Sequence, residues 1–177
     1  MRLVILSLFI FCLSFCNAQS NKLFPLLVGQ TLNGKVVELP DALEGKYSLI
    51  TMAFSQKSQN ELESWLNPVY NKFIAKTGMM DGMYDVNVLF VPMFTGAKKS
   101  AMQSVMKSMK AQSDPEIFPH VLFYKGEIGF YEKELGLLDE NKPYVFLLDL
   151  NGNVVFRTSG RYTEDKMLEI EKILINN

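Results

Sequence analysis

Along the chain the apolar positions change period at points marked by single glycines, prolines and asparagines, and those changes divide the sequence into elements. Behind Met1-Arg2 runs a nearly pure apolar stretch from Leu3 to Phe15. Further on, Asn33-Gly34 stands between Thr31-Leu32 and Lys35-Val36-Val37-Glu38-Leu39, the signal of a β-hairpin closed by a type I′ turn. Tyr47 to Phe54 is short and almost continuously apolar, which predicts a strand buried on both faces beneath helices. Ser58-Gln59-Asn60-Glu61 has capping-box spacing, and Leu62, Trp65, Leu66, Val69, Tyr70 and Phe73 recur at helical period. A helix is expected there, bent at Pro68, whose missing donor and ring disturb the preceding turn.

The same order then repeats. Val86 to Met93 predicts a second buried strand, and Ala97 to Gln112 a second helix with lysines on one face. Tyr144 to Asp149, the turn Leu150-Asn151-Gly152 and Asn153 to Arg157 predict a terminal hairpin. Thr163 to Ile175 reads as a closing helix with Met167, Leu168, Ile170, Ile173 and Leu174 apolar. This is an α/β pattern: a mixed central sheet flanked by helices, opened by a β-hairpin. Repeats and long linkers are absent from the sequence, so one domain is expected.

The opening apolar run reads as a secretory signal peptide, too short for a stable membrane span. Cys16-Asn17-Ala18 supplies small residues before a peptidase site, so cleavage is expected after Ala18, leaving residues 19–177 as the domain. The expected location is secreted or periplasmic. A competing reading takes Leu13-Ser14-Phe15-Cys16 as a lipobox, with Cys16 lipidated and the chain held at a membrane; the bulky Phe15 speaks against it. Cys12 and Cys16 are the two cysteines of the chain, and neither reading leaves a free thiol. A mature chain without thiols has no dithiol exchange, no peroxidatic nucleophile and no cysteine-ligated metal.

At 48% hydrophobic and 21% charged residues the chain has the means to build a core, which excludes the disordered class. Its formal net charge of -1 supplies no basic stripe, which excludes nucleic acid as a partner. Neither a cofactor nor a resident metal is expected.

Two sets of motifs carry a family resemblance. Leu32 to Leu39 followed by Leu43-Glu44-Gly45-Lys46, and Pro143 to Asp149 followed by Asn151-Gly152 and Gly160, resemble the leader and the "PttflID.nG…G" block of the thioredoxin-like superfamily, in its secreted TlpA-type and peroxiredoxin-like branch. The resemblance implies a thioredoxin-like fold with an insertion before the proline that opens the second block. It also implies that this proline, here Pro143 after Lys142, is cis and lies beside the active site; read without the resemblance, it is a trans proline at a strand's first position. The family's Cys-x-x-Cys belongs just after Phe54 at the helix start, where dipole and free amides depress a thiol's pKa. Register puts the two positions near Gln59 and Leu62, while Ser55-x-x-Ser58 has the same spacing. No residue at any of these positions replaces a thiolate.

A second resemblance, to the thioredoxin-like assembly factors of mitochondrial ATP synthase, rests on Phe54-Ser55, Trp65-x-x-Pro68 and Leu135-Gly136-Leu137 leading into Tyr144 to Asp149. The bacterial-type leader sets the chain apart from the mitochondrial protein itself. This resemblance implies that a member of the fold without redox chemistry can act by binding another protein.

Other candidates have simpler explanations. Met102, Met106 and Met109 share a helix face and could offer soft ligands to Cu(I), but such a stripe commonly fills an irregular core. Met79, Met80 and Met83 form a second cluster. His120 is the sole histidine and builds no metal site alone; Asp149 reads as a turn cap. Lys98, Lys99, Lys107 and Lys110 read as a solvated face. The aromatic insertion from His120 to Tyr131 is either an extra packed element or an apolar surface for a partner. The expected function is therefore a redox-inactive binding or assembly module. Its groove is formed by Ser55, Gln56, Ser58, Gln59, Lys142 and Pro143, and its partner is another envelope protein or an extended peptide. The alternatives are a thiol-disulfide or peroxide oxidoreductase and a methionine-based copper binder.

Overall fold

A computed structural model describes residues 22–43 and 45–176. The expected leader, with the cut after Ala18 and both Cys12 and Cys16, lies outside the described residues. The described chain forms strands β1 (Lys22–Leu23), β2 (Leu27–Thr31), β3 (Val36–Leu39), β4 (Tyr47–Ala53), β5 (Val86–Phe94), β6 (Leu122–Lys125), β7 (Tyr144–Leu148) and β8 (Asn153–Ser159). Its helices are α1 (Gln56–Val69), α2 (Met102–Gln112), α3 (Gly129–Leu135) and α4 (Glu164–Ile175).

The strands follow the order β1-β8-β7-β4-β5-β6-β2-β3, with β4 parallel to β5 and antiparallel to β7. This is the mixed sheet expected from the pattern. Alternation along β4 divides the core. Leu49 and Ala53 face Leu62 and Trp65 of α1 and Met167 and Ile170 of α4, whereas Ile50 and Met52 face Leu27, Leu39, Tyr131 and Leu135. One face of the sheet is thus covered by α1 and α4, and the other by the curled β2–β3 hairpin and α3. Trp65 ties the first layer together: its ring is fully buried, meets Tyr162 edge-on at 5.3 Å, and its indole N–H donates to the Gly160 carbonyl at 3.0 Å.

Local chemistry shifts several boundaries. The helix after β4 starts three residues earlier than expected, because Ser55 and not Ser58 is its N-cap: the Ser55 hydroxyl accepts from Ser58 N–H, and the Ser58 hydroxyl accepts from Ser55 N–H. Beyond Pro68 the chain continues as a wider turn over Tyr70–Ile74, closed by the Ala75 N–H donating to the Tyr70 carbonyl at 2.8 Å. The segment from Ala97 begins as a 3-10 helix over Gly96–Ala101 before α2 takes over at Met102. The first hairpin is present, but its turn is not type I′. Among the described non-glycine residues Lys76 alone has a positive φ, so Asn33 does not; Gly34 takes the left-handed position at +89° after a turn closed by Gly34 N–H to Thr31 carbonyl. The Thr31 hydroxyl, bonded to the Asn33 side chain and accepting from Lys35 N–H, holds this longer loop.

The insertion is a packed element. Leu122–Lys125 enters the sheet as β6 between β5 and β2, and Phe123, Tyr124 and Tyr131 are buried while Phe130 stays exposed. The methionine stripe is packing as well: Met102 is buried, and Met106 and Met109 lie against the cluster of Leu32, Phe94, Val121 and Phe123. Met79, Met80 and Met83 are exposed.

At the β7–β8 turn, Asp149 accepts from the N–H groups of Asn151 and Asn153 at 2.8 and 2.9 Å and from the Asn153 side chain. Burial pushes its carboxyl up, but these hydrogen bonds outweigh that and hold it below the usual carboxylate range. Gly152 follows at φ +80°, where an added Cβ would stand 2.7 Å from Pro40 Cβ.

Three outcomes follow for stability. Ser55→Ala should cost about 1 to 2 kcal/mol in urea unfolding, from loss of the cap. Gly152→Ala should cost more than about 1 kcal/mol, since left-handed strain adds to a clash with a rigid ring. Because the Asp149 carboxyl is depressed on folding, its contribution is complete above the unfolded value of about 4 and lost as pH falls through the folded value. An acid titration of Asp149→Asn should therefore show the difference from the parent protein shrinking in that window.

Candidate functional site

The β4–β7 register sets Met52 opposite Tyr144, so the end of β4 and the entrance to β7 lie side by side. Phe54, just past β4, stacks on Tyr144 with ring centroids 6.3 Å apart. This brings the start of α1 next to the Lys142-Pro143 segment.

At the helix start the paired positions are Ser55 and Ser58, cap and third helical residue; Gln59 and Leu62 lie one turn further in. The two hydroxyl oxygens are 3.2 Å apart. Ser58 is completely buried, its oxygen accepting from the N–H groups of Phe54 and Ser55 at 3.1 and 2.9 Å while its proton faces the Ser55 carbonyl at 3.0 Å. Ser55 is also buried and accepts from Ser58 N–H. The backbone amides that would depress a thiol's pKa are thus consumed in holding hydroxyls. Neither serine has a neighbouring base within these bonds, so neither is equipped as a nucleophile.

Of the other residues expected in the groove, Gln56 and Lys142 are exposed, Gln59 is half-buried and Pro143 is buried. The Lys142–Pro143 bond is trans, which corrects the cis expectation; among the described residues the cis bond is Leu39–Pro40. Pro143 enters β7 where its missing N–H costs nothing, and its carbonyl accepts from Gly160 N–H at 2.9 Å. The preceding loop is shaped by Asp139. Its carboxyl accepts from Asn141 N–H at 2.9 Å and pairs with the Lys142 ammonium at 3.3 Å. Those contacts, Asn141 first, hold the Asp139 carboxyl below the usual range.

Lys98, read from sequence as part of a solvated face, has a different place. Its ammonium donates to the Phe54 carbonyl at 3.1 Å, bridging the loop after β5 to the last residue before the cap. Only the left-handed Gly96 just before it, at φ +52°, hints at a turn that swings this lysine back. Gln56 and Gln59 also line a cavity of about 250 Å³ between α1, β5 and α2, walled by Leu62, Leu66, Phe90 and Met109. The sequence gives no sign of this cavity, which arises because Val105 and Met109 of α2 do not close fully on α1.

The remaining candidates lie apart. His120 ends a 3-10 turn with its Nδ1 3.0 Å from the Val88 carbonyl, and Asp149 caps its turn. Among the described residues there is no cluster of three or more His, Cys, Asp or Glu side chains suited to a metal, and no helix long and apolar enough to cross a membrane.

Comparisons with known proteins give the family context. The structure resembles the thioredoxin domain of a thiol-disulfide oxidoreductase from Bacteroides vulgatus, at 18% identity and a TM-score of 0.57, over 87% of this chain and 96% of that one. It resembles the pneumococcal exposed lipoprotein thioredoxin Etrx1 of Streptococcus pneumoniae at 18% identity and a TM-score of 0.57, over 85% and 100% of the two chains. A thiol:disulfide interchange protein from Bacteroides sp. matches at 16% identity and a TM-score of 0.55, over 89% and 90%. At these identities the likeness establishes a thioredoxin-like fold. No curated protein matches the sequence. The family model described as ATP10 protein matches residues 7–174, the fainter of the two resemblances read from the motifs, and the chain belongs to the ATP10 protein family.

Proposed function

We propose that this protein is a redox-inactive thioredoxin-like module, exported through its apolar leader, that binds an extended segment of another envelope protein and acts in its assembly. The observation that supports the reading is the Ser55–Ser58 pair: two saturated hydroxyls close the helix start, where the resemblance implies a Cys-x-x-Cys, and the sequence has no cysteine after Cys16. A hydroxyl does not exchange with a disulfide at neutral pH. What is left at that end of the fold is a surface suited to recognition. Gln59 offers an amide at the rim, Lys142 a charge, and the adjoining cavity room for one large apolar side chain. Membership in the ATP10 family, with its resemblance to ATP synthase assembly factors, supports a binding role over a catalytic one.

The test has two arms. Insulin reduction and peroxide consumption should stay at the level of a heat-inactivated control; activity above it would sink the reading. Cross-linking in the native envelope should capture a discrete partner. That capture should be lost in a Gln59→Glu, Leu66→Glu, Lys142→Glu variant whose thermal unfolding matches the parent. Capture indifferent to those changes would place binding elsewhere and overturn the groove assignment.

A further inference from the structure

At the other end of β5 from the Ser55–Ser58 centre lies a second cavity, of about 230 Å³, between the β2–β3 hairpin, the start of β5 and the turn that ends at His120. Asn87, on its wall, pairs with Ser48 in the β4–β5 register. At the usual rise along a strand, that is about 20 Å from Phe54. Nothing in the proposed groove reaches it.

Its chemistry is defined by three groups over an apolar floor that includes Val37, Leu43 and Leu89. The Val88 carbonyl 3.0 Å from His120 Nδ1 can only accept, so Nδ1 carries the hydrogen and Nε2 is the lone-pair nitrogen of the neutral ring. The Asn87 amide nitrogen donates to the Leu43 carbonyl at 2.6 Å, which fixes the amide orientation and leaves its oxygen as an acceptor. Lys35 supplies an ammonium with no carboxylate partner among the described residues, and no Asp or Glu lines the cavity. The other charges on the surrounding elements are tied elsewhere or stand off the lining: Glu116 accepts from the Tyr70 hydroxyl, Asp85 pairs with Lys46, and Glu38 and Asp41 are exposed.

We propose that this cavity binds a carboxylate that carries an apolar side chain and an N–H or O–H donor on its α-carbon. That description fits both a free N-acyl or hydroxy acid and the C-terminal residue of a polypeptide. Lys35 and a protonated His120 would take the carboxylate, Asn87 Oδ1 the α-donor, and the floor the side chain. Binding draws a proton onto Nε2, since a carboxylate is repelled by the lone pair and attracted by the imidazolium. Affinity therefore rises with acidity.

The single histidine of the chain makes this measurable, because its ring C–H resonances report the site without assignment. The probes are N-acetylleucine, its carboxamide, and a short alanine peptide ending in leucine with a free carboxyl. At least one of the two free acids should shift the His120 resonances saturably. Its affinity should be severalfold weaker at pH 8 than at pH 5.5, because a carboxylate is drawn to the imidazolium and repelled by the lone pair. Lys35→Met and His120→Gln should each weaken binding severalfold in calorimetry while thermal unfolding stays close to that of the parent. The exposed Lys35 keeps the test valid if the histidine variant misfolds. Binding of N-acetylleucine alone identifies a free-acid site, and binding of the peptide, with or without N-acetylleucine, identifies capture of a chain end. Absence of saturable binding by both acids, or equal binding by the carboxamide, would overturn the proposal.

Discussion

β4 is the strand on which the rest of this fold depends. All but its first residue are buried, it is hydrogen-bonded to β5 on one edge and β7 on the other, and its side chains alternate between two separate cores. A strand so placed has no solvent-facing side, so both layers must form before it is stable. That requirement explains why the hairpin and α3 are as necessary as α1 and α4. It also fixes the helix start, because the chain leaving β4 must turn at once, and the serine pair makes that turn.

The same turn shows what converging backbone amides do when they meet hydroxyl oxygen. It joins a cap residue, a partner three positions later, converging amides and a neighbouring proline loop. With sulfur in those places the amides would lower a pKa and prepare a nucleophile. With oxygen they saturate a hydroxyl whose pKa lies far from neutrality and lock the helix in place. The precision of the turn serves stability.

Most of the fold was legible in the sequence because burial on two faces, helical period and turn residues each leave a direct pattern. Tyr47 to Phe54, Val86 to Met93 and Tyr144 to Asp149 declared themselves by continuous apolar character, and Asp149 by its position before Asn151-Gly152. What stayed hidden depends on competition between local partners. Two serines compete to cap α1, and the one that also accepts from the Ser58 amide wins. Asn33 is a good candidate for a left-handed residue, yet Thr31 holds it in a longer loop. Lys98 looked like any exposed lysine, because nothing local in a sequence reports a bond across 44 residues to Phe54. The two cavities were invisible for a similar reason: each is formed by elements distant along the chain that meet imperfectly.

The last strand in the sheet order, β3, has one bonded neighbour and, among the described residues, one open side. It is four residues long, carries exposed Val36 and Glu38, and runs directly into Pro40, which has no N–H to offer. A second copy arriving edge-on would meet too short a ladder, a charge within it and a dead end. Self-association into fibrils through this margin is thereby discouraged. The chain can then display apolar side chains such as Leu66 and Val105 beside the cavity between α1 and α2 without its own sheet becoming a seed for aggregation.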